Sequence, residues 1–136
     1  MTRRIINMST ELKINNTEMG TKLHSLLSEI DNELEKQYPE SALILFGSYA
    51  RGDAREESDL DICILVPELT ERRIDMNVEI RLLIKNACRV VLGKTHQLDT
   101  KLYTYDEFED GIKHKSTLQH AIWEEGVLHY DKERAS

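Results

Sequence analysis

Apolar residues recur along the first third of the chain at Met19, Leu23, Leu26, Leu27, Ile30 and Leu34, with Glu29, Asp31, Glu33 and Lys36 turned away. The spacing predicts an amphipathic helix over 19–35, ended by Pro39. Ala42–Phe46 (ALILF) is apolar without a break, which predicts a strand buried on both faces. After a polar stretch, Leu60–Val66 (LDICILV) reads as a second strand stopped by Pro67. A long helix is predicted over 70–92, carrying Ile74, Val78 and Leu82 on one line and Ile80, Ile84, Ala87 and Val91 on the next. Gly93 is its expected stop. In HQLDTKLYTY, Leu98, Thr100 and Leu102 alternate with Gln97, Asp99, Lys101 and Tyr103, the pattern of a half-exposed third strand. Two short helices follow, at DEFED and at STLQHAIWEEG with Ser116 as N-cap, and VLHY closes the order as a short strand.

Helix, strand, strand, helix, strand, helices is the order of an α+β domain, a small mixed sheet flanked by helices. Length points to a single domain over 1–136, with 1–15 and 131–136 expected to be flexible. Met8 offers an alternative start. Neither repeats nor low-complexity segments interrupt the pattern.

A formal charge of −7 argues against direct nucleic-acid binding, which needs clustered Lys and Arg, but leaves room for a local basic pocket. No apolar run has membrane-spanning length, and the two arginines of MTRRIINMST have no hydrophobic segment behind them. Cys63 and Cys88 lie in apolar periodic segments without metal-ligand spacing, which predicts reduced core thiols and a cytoplasmic compartment.

Chemistry concentrates in FGSYARGDAREESDLDICIL. Asp59, Asp61, Cys63 and Leu65 share one face of the second strand, so two carboxylates stand at the mouth of an otherwise apolar segment. At about 4 Å they would repel by roughly 4 kcal/mol at an effective dielectric near 20. A proton or a cation must relieve that, and Mg²⁺ suits two carboxylates completed by water and phosphate. Asp99, on the polar face of the next strand, is the candidate third carboxylate, with Lys101 beside it; the plainer readings are a solvated strand aspartate and an exposed edge-strand lysine. Gly47 lets backbone approach a ligand, the amides that follow would point at an anion, and the Ser48 hydroxyl and Arg51 guanidinium could hold a phosphate. Arg51 could instead only pair with Asp53 or Glu56. Joined by one hairpin, a phosphate cradle and an aspartate pair make a nucleoside triphosphate site. His96, His114, His120 and His129 show no metal spacing and read as surface or core fillers, and Trp123 reads as core rather than as a base-stacking platform.

Gly47-Ser48, ten residues, then Asp59-Leu60-Asp61 resembles the signature of the DNA polymerase β-like nucleotidyltransferase superfamily. By chance the four residues would fall at this separation in about one or two per thousand chains of this length. The flanking Ala-Arg-Gly and the serine before the first aspartate fit as well. The chain is most similar to the minimal nucleotidyltransferase (MNT) group, and the resemblance runs over about 26–130, including LDTKLYTYDEFE. It implies a polymerase β palm-like fold in which Asp59 and Asp61 bind Mg²⁺ on the triphosphate. Asp99 would help bind a second ion and activate the attacking hydroxyl, while Gly47 and Ser48 would hold the β- and γ-phosphates. ATP would be the substrate and pyrophosphate the leaving group.

Larger relatives carry an extra helical domain for the acceptor; here the chain ends soon after its third strand, so the acceptor surface is expected from another polypeptide. In the two-gene systems this group resembles, such a protein is the antitoxin of a HEPN ribonuclease and acts either by complex formation or by adenylylating a tyrosine near its active site. The leading expectation is therefore an Mg²⁺- and ATP-dependent protein adenylyltransferase with a HEPN-type partner. Two alternatives stay open: a small-molecule enzyme of the aminoglycoside-modifying kind, with a homo-oligomer building the cleft, and an occluding nucleotide-binding module that does not turn over.

Overall fold

The computed structural model describes residue 5 and residues 7–129. Its elements are α1 (Glu18–Thr21), α2 (Leu23–Gln37), β1 (Ala42–Phe46), α3 (Gly47–Arg51), β2 (Leu60–Val66), α4 (Arg73–Leu92), β3 (Leu98–Thr104), α5 (Tyr105–Ile112), α6 (Leu118–Glu125) and β4 (Val127–Leu128). Among the described residues the strands form one sheet in the order β3-β2-β1-β4. β1 is antiparallel to β2 and to β4, while β2 and β3 are parallel. Parallel neighbours need a long crossover, and α4 supplies it. The result is the α+β arrangement expected from the pattern.

Alternation along the strands decides the layers. Leu60, Ile62, Ile64 and Val66 pack with Leu26, Ile30 and Leu34 of α2 and with Met76, Ile80 and Ile84 of α4. On the opposite side Ile44, Phe46, Cys63 and Leu65 meet Phe108 and Ile112 of α5 and Ile122 of α6. Each buried Leu, Ile or Phe contributes about 1.5–3 kcal/mol. With helices on both faces of β1 and β2, the strand ends and the half-exposed face of β3 are open to a ligand. Both cysteines are buried and reduced. No helix among the described residues is long and apolar enough to cross a membrane.

Several details differ from the expectation. The first helix is split: Thr17 caps α1, and Lys22 leaves the helical region before α2 begins. The long helix starts at Arg73, and α6 is capped by Thr117 rather than Ser116, the Thr117 hydroxyl accepting from the His120 amide at 3.1 Å. Ile74, Val78 and Leu82 do not enter the core; they are 66%, 53% and 56% exposed. Periodicity marks two apolar lines on α4, and the sheet and α2 cover only the one carrying Met76, Ile80 and Ile84. In the segment expected to be flexible, Met8 is buried and Ser9 bridges to Val127. The expected fraying of 131–136 lies outside the described residues.

Candidate active site

β1 turns into α3 in a single step at Gly47, whose φ of +73° lies in the left-handed region that favours glycine. A Cβ there would overlap Oδ2 of Asp61. The preceding residue, Phe46, pairs with Asp61 across the β1–β2 ladder, and Asp61 pairs with Asp99 across the parallel β2–β3 ladder. Gly47, Asp61 and Asp99 are thus aligned across three neighbouring strands at one end of the sheet. Asp59 stands exposed just before β2 begins.

The electrostatics follow from that crowding. Burial, then Asp99, then Asp59 push the Asp61 carboxyl up to about 6, against the pull of Arg51. A carboxylate so placed gains from a cation. Among the described residues no three His, Cys, Asp or Glu side chains converge to cage a metal alone. The donor set instead fits an ion held by one or two aspartates and completed by water and substrate phosphate. Lys101 lies 3.3 Å from Oδ1 of Asp99, and its register partner on β2 is Cys63. Lys101 therefore pairs with a carboxylate of the site.

The ten residues between Ser48 and Asp59 are pinned from several sides. Ser58 Oγ accepts the Arg55 amide at 2.8 Å, and the Ser58 carbonyl lies 2.7 Å from His96 Nε2. The Tyr49 hydroxyl reaches the Arg55 carbonyl at 3.3 Å, and Asn15 Nδ2 donates to the Ala54 carbonyl at 2.9 Å. The charged tip, Arg55 to Glu57, remains exposed. His96 is therefore more than a filler: it holds the residue before Asp59 in place. Periodicity could not show this, because the contact is made by a loop side chain to a backbone carbonyl. Trp123 packs against the core, as expected.

Arg51 pairs with Asp53 at 3.4 Å, as the plainer reading anticipated, and also with Glu125 at 3.4 Å. Glu125 Oε1 accepts the Gly47 amide at 3.2 Å. Burial opposes the change, but Asp53 and Glu125 together hold the guanidinium above its ordinary range. Sequence reasoning missed Glu125, which the fold brings back from the end of α6.

A family model described as "Nucleotidyltransferase domain" matches residues 27–124. Three candidate protein adenylyltransferases of Methanocaldococcus jannaschii are similar in sequence. One is 38% identical over 61 residues, 43% of this chain and 42% of that protein. The second is 70% identical over 27 residues, 20% of this chain and 27% of that protein. The third is 36% identical over 44 residues, 32% of this chain and 51% of that protein. The chain spans about half, or less, of the length of these curated relatives. A crystal structure of a candidate nucleotidyltransferase from Sulfolobus solfataricus has the same fold, with a TM-score of 0.50 over 84% of this chain and 85% of that one at 22% identity.

Proposed function

The chain belongs to the nucleotidyltransferase-domain family, and on that premise we propose that it transfers AMP from ATP to a hydroxyl group of a partner protein. The observation that carries the reading is the register of Asp61 beside Asp99, with Gly47 folded against the same carboxylate. The relatives' names supply the protein acceptor.

Each residue then has a task. The Ser48 hydroxyl, the Gly47 backbone and Arg51 hold the β- and γ-phosphates. Asp59 and Asp61 would hold Mg²⁺, and Asp99 would join them for a second ion. When bound, Mg²⁺ supplies neutralising charge on the triphosphate and on departing pyrophosphate. Asp99 takes the proton of the acceptor hydroxyl, whose oxygen forms the new bond to the α-phosphorus. The bond from the α-phosphorus to the bridging oxygen breaks, pyrophosphate leaves with the electron pair, and the proton passes from Asp99 to water. Lys101, in contact with Asp99, orients that carboxylate and is the second cation near the nucleotide.

For the acceptor we assign a tyrosine of a HEPN-type ribonuclease, which makes this chain its antitoxin. A protein partner suits the exposed line on α4, where Ile74, Val78, Leu82 and Val90 are 66%, 53%, 56% and 71% exposed. Beside it, between α2 and α4, runs a groove of about 490 Å³ walled by Glu29, Glu33 and Glu79, a surface that fits a basic helical partner. Co-expressed chain and partner, incubated with Mg²⁺ and ATP labelled on either phosphate, test the proposal. Label from the α-phosphate should enter the partner and label from the γ-phosphate should not. Retention of γ-label, or no incorporation from either, would overturn the transfer reaction.

A further inference from the structure

Glu125 ends α6 and reaches across to the turn after β1, with each carboxylate oxygen engaged. Oε1 accepts the Gly47 amide at 3.2 Å, and Oε2 lies 3.4 Å from Nη1 of Arg51. These are the groups assigned above to the triphosphate. The backbone that carries Glu125 has little freedom. The Gly126 amide donates to the Ile122 carbonyl at 2.8 Å, and Val127 is paired with Leu45. A Cβ on Gly126 would overlap the Ile122 carbonyl and lie 2.8 Å from Cγ2 of Ile44, so α6 and β1 are in close contact there. The side chain itself is 35% exposed, which leaves room to rotate into solvent.

A carboxylate bound to an amide and a guanidinium occupies the position that a phosphate oxygen would take, and it carries the same sign of charge. Both cannot use Arg51 fully at once. With Asp59, Asp61 and Asp99 nearby, a triphosphate meets a site in which Glu125 adds repulsion as well as competition.

We propose that Glu125 is a built-in counterion that the incoming nucleoside triphosphate displaces from Gly47 and Arg51, so that this residue sets nucleotide affinity; the inference rests on the nucleotidyltransferase reading above. Its role is to tune binding, since it acts on the phosphate-holding groups and not on the reacting atoms. The opposite role, a brace that holds Gly47 and Arg51 ready, predicts weaker binding when the charge is removed.

The test is the dissociation constant of α,β-methylene-ATP with Mg²⁺, measured by calorimetry on the full chain. Glu125→Gln keeps an acceptor for the Gly47 amide and removes the charge. It should bind about three- to tenfold tighter than the unmodified chain, the scale of losing one half-exposed competing ion pair and its repulsion. The gain should shrink with added salt and largely vanish when Glu125→Gln is compared in an Arg51→Gln background. Glu125→Ala is measured in parallel, and thermal melts confirm that each variant is folded. Equal or weaker binding by both Glu125 variants would overturn the counterion role while leaving the nucleotide site standing. If neither variant nor the unmodified chain binds the analogue, the counterion role and the nucleotide site fall together.

Discussion

Gly47 lies so close to Asp61 that a methyl group at position 47 would overlap the carboxylate oxygen Oδ2. Its φ of +73° is unfavourable for any residue with a side chain. Two independent demands, a left-handed turn and room for a carboxylate, therefore fall on one residue. The end of β1 and the mouth of β2 are fitted to each other.

Replacing Gly47 with alanine should violate both demands. We predict a loss of about 1–3 kcal/mol in folding stability, read by urea denaturation. Under conditions where the variant is still folded, transfer should fall at least about 100-fold, the cost of misplacing a reacting group by an ångström. A fully active Gly47→Ala chain would mean that this contact does not position Asp61.

The Asp61 carboxyl, held at about 6 in the fold by burial and by Asp99 and Asp59, starts from about 3.9 in an unfolded chain. The folded protein therefore binds this proton more tightly than the unfolded one. Its contribution to stability is fully present below the unfolded value and is lost as pH rises through the folded value. Without divalent metal, the melting temperature should fall between about pH 4 and about pH 7, and Asp61→Asn should flatten that fall. Added Mg²⁺ should recover stability at the higher pH in the unmodified chain only. A profile unchanged by Asp61→Asn would remove the crowded carboxylate from the account.

Leu82 and Val90, 56% and 71% exposed, test the partner surface separately from the chemistry. Leu82→Lys with Val90→Lys should weaken binding of the proposed basic partner about tenfold or more, because like charges then face each other across the groove. Nucleotide affinity should stay within about twofold, since Leu82 and Val90 line the groove between α2 and α4 and not the aspartate cluster. Calorimetry with each ligand in turn checks both statements. Partner binding that survives the double substitution would place the interface elsewhere.

The strands were the legible part of this chain. Ala42–Phe46 and Leu60–Val66 run with the expected bounds, because unbroken apolar runs between Pro, Gly and polar turns leave little choice of register. Asp99 could be placed on the correct side of β3 by alternation, but its position beside Asp61 depends on parallel pairing, which a local pattern cannot specify. Periodicity showed that α4 has two apolar lines without showing which one the sheet covers. Glu125 was out of reach altogether, since 74 residues separate it from Arg51 and the packing of α6 against α3 joins them. His96 was hidden for a related reason: its partner is the backbone of Ser58, and a backbone carbonyl carries no sequence signal.

The most direct test of the account is the intact mass of the proposed HEPN-type partner after incubation with this chain, Mg²⁺ and ATP. The prediction is a gain of whole AMP units with the unmodified chain, and no gain when Asp59→Asn and Asp61→Asn are combined. A partner that binds both forms and never gains mass, or one that gains AMP equally with both, would contradict it.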